Sequence, residues 1–177
     1  YWWVMNDKGN IHTESGADPI GMEIRAQAFA FASNDEINNM TFYNYELINR
    51  GTQTLFNTYF GNFTDGALGD PFDDFVGCDV NRGLAYYYNG DNFDDDNNGF
   101  YGYKDNPPAV GVDFFEGPFQ DDDGIDNAFG IGPGEALNGI GYGDGIIDNE
   151  RYGMRRFTYY SNLTNGALPS QTDPINA

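Results

Sequence analysis

The chain has 177 residues, 40% of them apolar and 17% aromatic, so it is long and apolar enough to build a folded core. Its 28 acidic residues stand against 8 basic ones, and the formal net charge of -20 disfavours nucleic acid and anionic membranes as partners and favours cations. The single cysteine, Cys78, and the single histidine, His12, exclude an internal disulfide and leave too few ligands for a Cys/His zinc site. No apolar run approaches the roughly 18–20 residues of a membrane span, which predicts no transmembrane segment.

Aromatic and β-branched segments in the first half predict short strands joined by polar turns. In the segment 21–32, Met22, Ile24 and Ala26 fall on one face. Glu23 and Arg25 fall on the other. The alanines also suit a helix, but this period of two favours a strand. The predicted strands are 1–5, 11–13, 21–32, 40–50 and 54–63, the last as the antiparallel partner of 40–50.

The second half predicts further strands at 75–80, 84–88, 109–115 and 153–160. Closely spaced strands with polar turns predict an all-β fold: a loop-rich antiparallel β-sandwich of jelly-roll or immunoglobulin-like type, with a long acidic loop region. We expect a sandwich body over 1–88. An Asp/Asn/Gly-rich calcium-loop segment over 89–150 would pack on the same domain, and 151–177 would supply a returning strand and a polar tail.

Two short acidic turns dominate the segment 121–150, with the sequences DDDGIDN at 121–127 and GDGIIDNE at 143–150. Each places carboxylates on both sides of a glycine, and Ca²⁺ takes six to eight oxygen ligands in flexible geometry. These turns therefore predict a calcium site, with a solvated acidic turn as the alternative. The candidate ligands are Asp121, Asp123 and Asp126 around Gly124, and Asp144, Asp148 and Glu150 around Gly145.

The loop 91–99 is a further candidate, because it is dense in Asp and Asn and ends in glycine. Its candidate ligands are Asp91, Asp94 and Asp96, although a flexible loop without metal fits the same composition. A looser acidic cluster contains Asp70, Asp73, Asp74 and Asp79. Asp79 lies in a strand-like run, where a lone buried carboxylate is costly, and Arg82 is its expected partner.

Two other kinds of site deserve comparison with these. Asp113 and Glu116 could form the facing pair of acids that glycoside hydrolysis needs, but a chain this rich in acids always offers such a pair. Tyrosines and tryptophans could stack on sugar rings, although strand aromatics more often pack in a core. The aromatic candidates are Trp2, Trp3, Tyr86, Tyr87, Tyr88, Tyr101 and Tyr103.

Several segments resemble a group of large secreted proteins of Bacteroidota, in which such a module precedes a C-terminal sorting domain for type IX secretion. They read NDKGNIHTE, GMEIRAQAFAFASNDEINNMTFYNYELINRG, DDFVGCDV followed by YYYNGD, PPAVGVDFFEGP and GDGIIDNERYGMRRF. The resemblance covers most of 6–160 and implies export and residence outside the cell, with no catalytic residues. A sorting domain is not recognisable, which would fit a fragment or a processed product.

The acidic turns themselves resemble the D-x-D-G-x-x-D core of thrombospondin type 3 and dockerin-like calcium loops. Asn127 replaces the last carboxylate of that pattern in the first turn, and the second turn lacks carboxylates upstream of Asp144.

Together these observations predict a secreted or cell-surface module, non-enzymatic and stabilised by Ca²⁺, with a structural or adhesive role in a larger extracellular assembly. Its expected partners are other protein chains of that assembly or further copies of itself. The alternatives are a calcium-dependent glycan-binding module and, third, a glycan-active hydrolase or lyase.

Overall fold

The computed structural model describes residues 1–7, 12–13, 16–128 and 139–159. Eight strands form antiparallel sheets and the described residues contain no α-helix, which confirms the predicted all-β fold. The pairing of two sheets into a sandwich stays a prediction. The chain divides into two compact units, Tyr1–Asn62 and Phe63–Ala177, so the predicted boundaries at 88 and 150 both fall inside the second unit.

The first unit is a three-stranded sheet in the order β1-β2-β3. Its strands are β1 (Trp2–Asn6), β2 (Met22–Ala30) and β3 (Thr41–Asn49), with a short 3-10 helix (Glu36–Asn39) between the last two. The alternating segment 21–32 is thus a strand, as predicted, because its two faces have different environments. Ala26 on the apolar face is buried, while the opposite face carries the charged residues.

Charges in this sheet are balanced within the sheet. Arg25 lies directly opposite Glu46 on the neighbouring strand, and their side chains pair at 3.2 Å. Glu23 accepts from Arg25 at 2.9 Å and from Arg50 at 3.1 Å. Cross-strand pairs of opposite charge on one face stabilise the register, so this sheet supplies its own counter-ions.

The prediction of a strand at 54–63 is wrong. No described residue of this segment lies in a strand, and the neighbour of β3 in the sheet is β2. Asn57 adopts a left-handed backbone with φ of 51°, which breaks the extended conformation that a strand needs. The segment instead lines a shallow hollow beside Met22 and Leu47. The predicted strand at 11–13 is also wrong for its described part, since residues 12 and 13 form a turn in which the Gly16 N–H donates to the His12 carbonyl at 2.6 Å; residue 11 lies outside the described residues.

The second unit contains a three-stranded sheet and a small hairpin. The sheet has the order β4-β5-β8, from β4 (Asp74–Asp79), β5 (Leu84–Asn89) and β8 (Ala109–Asp113). A 3-10 helix (Val80–Arg82) connects the first two strands, and the hairpin joins β6 (Phe93–Asp94) to β7 (Lys104–Asp105). The predicted partnership of Asp79 with Arg82 is confirmed at 2.7 Å.

Cys78 lies in the interior of this sheet, with its sulfur 3.8 Å from that of Met154. The predicted strand at 153–160 is wrong for its described part, which forms no strand and contains one isolated bridge residue, Tyr159. Arg151, just before it, forms single bridges to Phe119 and Ile140. Across the described ranges, no helix is long and apolar enough to cross a membrane.

Candidate functional site

The two acidic turns predicted from the sequence lie side by side in the second unit. Arg151 forms antiparallel bridges to Phe119 and to Ile140, and the Gln120 N–H donates to the Glu150 carbonyl at 2.9 Å. Backbone pairing therefore places the first turn, 121–127, against the second, 143–150. We call this arrangement the paired turns.

Both turns share one local structure. The Asp123 side chain accepts from the Ile125 N–H at 2.9 Å, and the Asp144 side chain accepts from the Ile146 N–H at 2.8 Å. The glycine between each aspartate and isoleucine has a left-handed backbone, with φ of 78° at Gly124 and 88° at Gly145. Aspartate forms such turns with the backbone two residues on, and glycine adopts positive φ without a steric cost.

Carboxylates reach across from each turn to the backbone of the other. Asp126 accepts from Gly143 at 2.7 Å and from Gly145 at 2.6 Å. In the opposite direction, Asp148 accepts from Gly124 at 2.8 Å. The two turns consequently hold each other through charged hydrogen bonds, which are stronger than bonds between neutral groups.

Glu150 is the most enclosed acid of the paired turns, with 1% of its surface exposed. One carboxylate oxygen accepts from the Asn127 N–H, whereas Oε2 is buried without a hydrogen-bond partner. The side-chain oxygens of Asn127 and Asn149 are also buried and unpartnered. A buried carboxylate oxygen without a donor is expensive, and a bound cation is one way to remove that cost.

The structure brings together only part of the predicted ligand set. Asp126, Asp148 and Glu150 each accept a backbone N–H of the opposite turn. Asp121, by contrast, is exposed, and its carboxylate accepts a long hydrogen bond of 3.5 Å from the Gln120 side-chain amide. Asp123 and Asp144 are exposed and bind the backbone of their own turns.

The Asn149 amide donates to Asp144 at 3.0 Å. This hydrogen bond and the one from the Ile146 N–H lower the pKa of Asp144, so its carboxylate is stabilised in the charged form.

The candidate ligands of the loop 91–99 have separate partners. Asp91 accepts from the Phe93 N–H at 2.8 Å, and Asp96 pairs with the Lys104 ammonium. The contact to Lys104 is the main reason that the pKa of Asp96 is lowered. Asp94 turns into the protein and accepts from the Asp70 N–H at 3.1 Å. It therefore belongs to a different group of acids, with Asp70, Asp73 and Asp74.

Sequence reasoning noted those last three aspartates but did not connect them to Asp94. The available signal was the density of aspartates immediately before a predicted strand. In the alternative acid pair, Asp113 and Glu116, Glu116 lies 3.7 Å from the Arg151 guanidinium. Burial raises the pKa of Asp113.

Among the described residues, no three Asp, Glu, His or Cys side chains already form a group that could hold a metal ion. The donors of the paired turns are instead mixed, with one carboxylate oxygen and two amide oxygens free of hydrogen bonds. Hard cations such as Ca²⁺ accept amide and backbone carbonyl oxygens beside carboxylates, so this donor set fits calcium better than it fits zinc or a transition metal.

Comparison of the chain with protein-family models, with curated proteins and with solved structures finds no match.

Proposed function

We propose that this chain is a calcium-stabilised, non-enzymatic structural or adhesive module of the cell surface or the extracellular space. The observation that carries the proposal is Glu150, a fully enclosed carboxylate with one unpartnered oxygen between two reciprocally bonded acidic turns. Outside a cell, millimolar calcium is the natural counter-ion for such a chain. Secretion is supported by the resemblance of long segments to exported Bacteroidota proteins.

The ion would act on the two turns together. Asp148 and Asp126 already join the turns by accepting hydrogen bonds from the Gly124 and Gly143 N–H groups, and the Asn127 N–H donates to Glu150 across the same pair of turns. A cation that is coordinated by oxygens from both turns favours their paired arrangement over any open one. Binding to the folded state alone stabilises it, by about 2.7 kcal/mol when free ligand is roughly 100 times the Kd.

The sheet of the first unit supports a role in assembly. The strands β1 and β3 form its two edges, and no described strand of this unit pairs with their outer sides. Trp2 on one edge strand and Tyr43 and Tyr45 on the other are exposed. Unpaired strand edges with aromatic side chains are suited to pairing with other chains, either neighbours in an assembly or further copies.

Metal analysis and thermal unfolding of the same preparations test the proposal. We expect bound calcium in protein purified without chelator, and a melting temperature about 5–10 °C lower after chelation, as roughly 2.7 kcal/mol implies for a chain of this size. Magnesium should restore less stability than calcium, because it requires a small octahedral shell. Equal melting temperatures in chelator and in millimolar calcium would refute the mechanism.

A matched pair of variants locates the effect. Glu150→Gln keeps the size and one acceptor oxygen but removes the charge, so it should weaken calcium binding about tenfold or more. Asp122→Asn removes the same charge from an exposed position of the same pair of turns and should leave the calcium affinity nearly unchanged. Equal affinities of the two variants would place calcium elsewhere.

A second candidate function is calcium-dependent glycan binding, which we also propose on a specific observation. Tyr101 is 86% exposed and Tyr103 is 56% exposed, in the acidic loop that contains Asp96. Exposed aromatic rings beside polar acceptors suit sugar rings. Tyr101→Ala should then abolish retention on polysaccharide columns, whereas Phe56→Ala, which removes an exposed ring of the first unit, should not. Retention that neither variant alters would exclude the Tyr101 loop as the sugar site.

A further inference from the structure

A second group of acids surrounds a fully buried aspartate in the second unit. Asp94 has none of its surface exposed, and it accepts from the Asp70 N–H at 3.1 Å and from the Tyr103 N–H at 2.8 Å. Gly69 and Gly102 approach it so closely that a side chain at Gly69 would overlap its Oδ2 and one at Gly102 would overlap its carbonyl. The backbone is therefore packed closely around this one carboxylate.

Three more aspartates lie in the segment before β4 and at the first position of that strand: Asp70, Asp73 and Asp74. Asp70 is 4% exposed and accepts from the Phe72 N–H at 3.1 Å and from the Asn97 amide at 2.8 Å. Asp74 accepts from the Leu68 N–H at 2.9 Å through one oxygen only. Within the described part of the chain, no ion pair joins a lysine or arginine to Asp70, Asp73, Asp74 or Asp94.

This region also contains buried side-chain oxygens that have no hydrogen-bond partner, and one of them belongs to an asparagine. Asn89 is 95% buried, and its amide nitrogen donates to the Asp91 and Phe93 carbonyls while its Oδ1 has no partner. Asn89 lies directly opposite Asp74 in the β4–β5 pair, so both side chains project from the same face of the sheet. Asp74 Oδ1 is likewise buried and unpartnered, as is Oδ1 of the neighbouring Asp73.

Burial and neighbouring carboxylates both affect the pKa values of Asp73 and Asp74. Burial raises the pKa of Asp73, and repulsion from Asp70 and Asp94 raises it further. Burial also raises the pKa of Asp74, where the Leu68 N–H opposes the rise and the charges of Asp94 and Asp70 add to it. The raised pKa values of both groups follow first from burial and then from the neighbouring carboxylates.

We propose that Asp70, Asp73, Asp74 and Asp94, with the Asn89 side-chain oxygen, form a calcium site distinct from the paired turns. Three of these side chains have a buried oxygen without a hydrogen-bond partner: Asp73, Asp74 and Asn89. No three acids of the described residues already form a metal-holding group, so the carboxylates would have to move together on binding. The ligands are oxygens alone, which Ca²⁺ prefers in flexible geometry. The site would fix the segment before β4 onto the β6–β7 hairpin. It shares no residue with the paired turns, so it does not depend on the function proposed for them.

Calorimetric calcium titration of the full chain tests the inference through its stoichiometry. In the Glu150→Gln background, where the paired turns are weakened, one calcium should still bind with high affinity. Adding Asp74→Asn should reduce that affinity about tenfold or more, while adding Asp95→Asn, an exposed neighbour of Asp94, should not. Asp73→Asn gives a second, less buried test of the same site if Asp74→Asn fails to fold by circular dichroism.

The outcomes separate the two sites. Retained binding in Glu150→Gln that is lost with Asp74→Asn or Asp73→Asn supports this site even if the paired turns bind nothing. Complete loss of calcium binding in Glu150→Gln alone overturns it. Binding that Asp74→Asn and Asp73→Asn leave unchanged overturns it as well.

Discussion

The two units differ in how far basic side chains compensate their acidic residues. In the first unit, seven Asp and Glu residues stand against three Lys and Arg residues, and the central acid, Glu23, contacts two arginines. In the second unit, twenty-one acids stand against five bases. All six buried side-chain oxygens without a hydrogen-bond partner in the described residues belong to this second unit.

The difference shows where an external cation matters. Moving a charged side chain from water into the protein interior is costly unless a partner supplies a compensating interaction. The first unit contains that partner in Arg25 and Arg50, whereas the acids of the second unit mostly meet backbone N–H groups and one another. A low ratio of basic to acidic residues within one compact unit is therefore more informative than the net charge of the whole chain.

Removal of calcium should have the largest effect, and only on the second unit. With two sites, each contributing about 2.7 kcal/mol at 100 times its Kd, the second unit should lose several kcal/mol of stability in chelator. Hydrogen exchange followed by mass spectrometry should show faster exchange in the paired turns and around Asp94. The strands β1, β2 and β3 are the internal control, and loss of protection there would contradict the comparison.

Gly69→Ala should produce the next largest effect. Gly69 has φ of +65°, and an added side chain would overlap the Asp94 carboxylate, so we expect a loss of at least about 2 kcal/mol in the free energy of unfolding. Gly61→Ala in the first unit is the matched control, because nothing lies within 4 Å of the added carbon. Urea unfolding measures both, and equal stabilities would show that the packing around Asp94 is not tight.

Local rules predicted much of this fold. The period of two in 21–32 identifies β2 because alternate side chains of a strand face opposite sides. The Asp-Gly-Ile sequences identify both acidic turns for a similarly local reason, since aspartate binds the backbone two residues on and glycine accepts positive φ. The strand predicted at 54–63 fails because strand propensity says nothing about Asn57, whose backbone is left-handed.

Tertiary contacts decide the rest of the candidate site. Asp91, Asp94 and Asp96 are alike in sequence, yet only Asp94 is buried, because Gly69 and Gly102 allow the chain to close around it. The bonds of Asp126 to Gly143 and Gly145 join residues 17 and 19 positions apart. No spacing rule within one turn could identify these hydrogen-bond partners. Nor could it identify the buried oxygens that lack a partner.

Glu23→Gln should lower stability by a smaller amount that is independent of calcium. The Arg50 contact, more than the Arg25 contact, lowers the pKa of Glu23, and the variant loses the charge in both pairs. We expect a decrease in melting temperature smaller than that caused by chelation, and of equal size with calcium and with chelator. Glu36→Gln, at an exposed acid of the same unit, is the control. A decrease seen only in calcium would mean that the first unit also depends on the ion.

Asp7→Asn should have the smallest effect, visible mainly as a change in pH dependence. Partial burial opposes ionisation of Asp7, but the N–H groups of Ile20, Met22 and Gly21 outweigh it and lower its pKa below the usual 3.8. A lowered folded-state pKa stabilises the protein fully above 3.8, and this stabilisation is lost as the pH falls through the folded value.

Unfolding curves of Asp7→Asn should therefore differ from those of the parent at neutral pH and converge with them in acid. Asp18→Asn, at an exposed acid of the same loop, should follow the parent throughout. Because these donors are backbone groups, the stabilisation should persist in chelator, unlike that of the acids around Asp94.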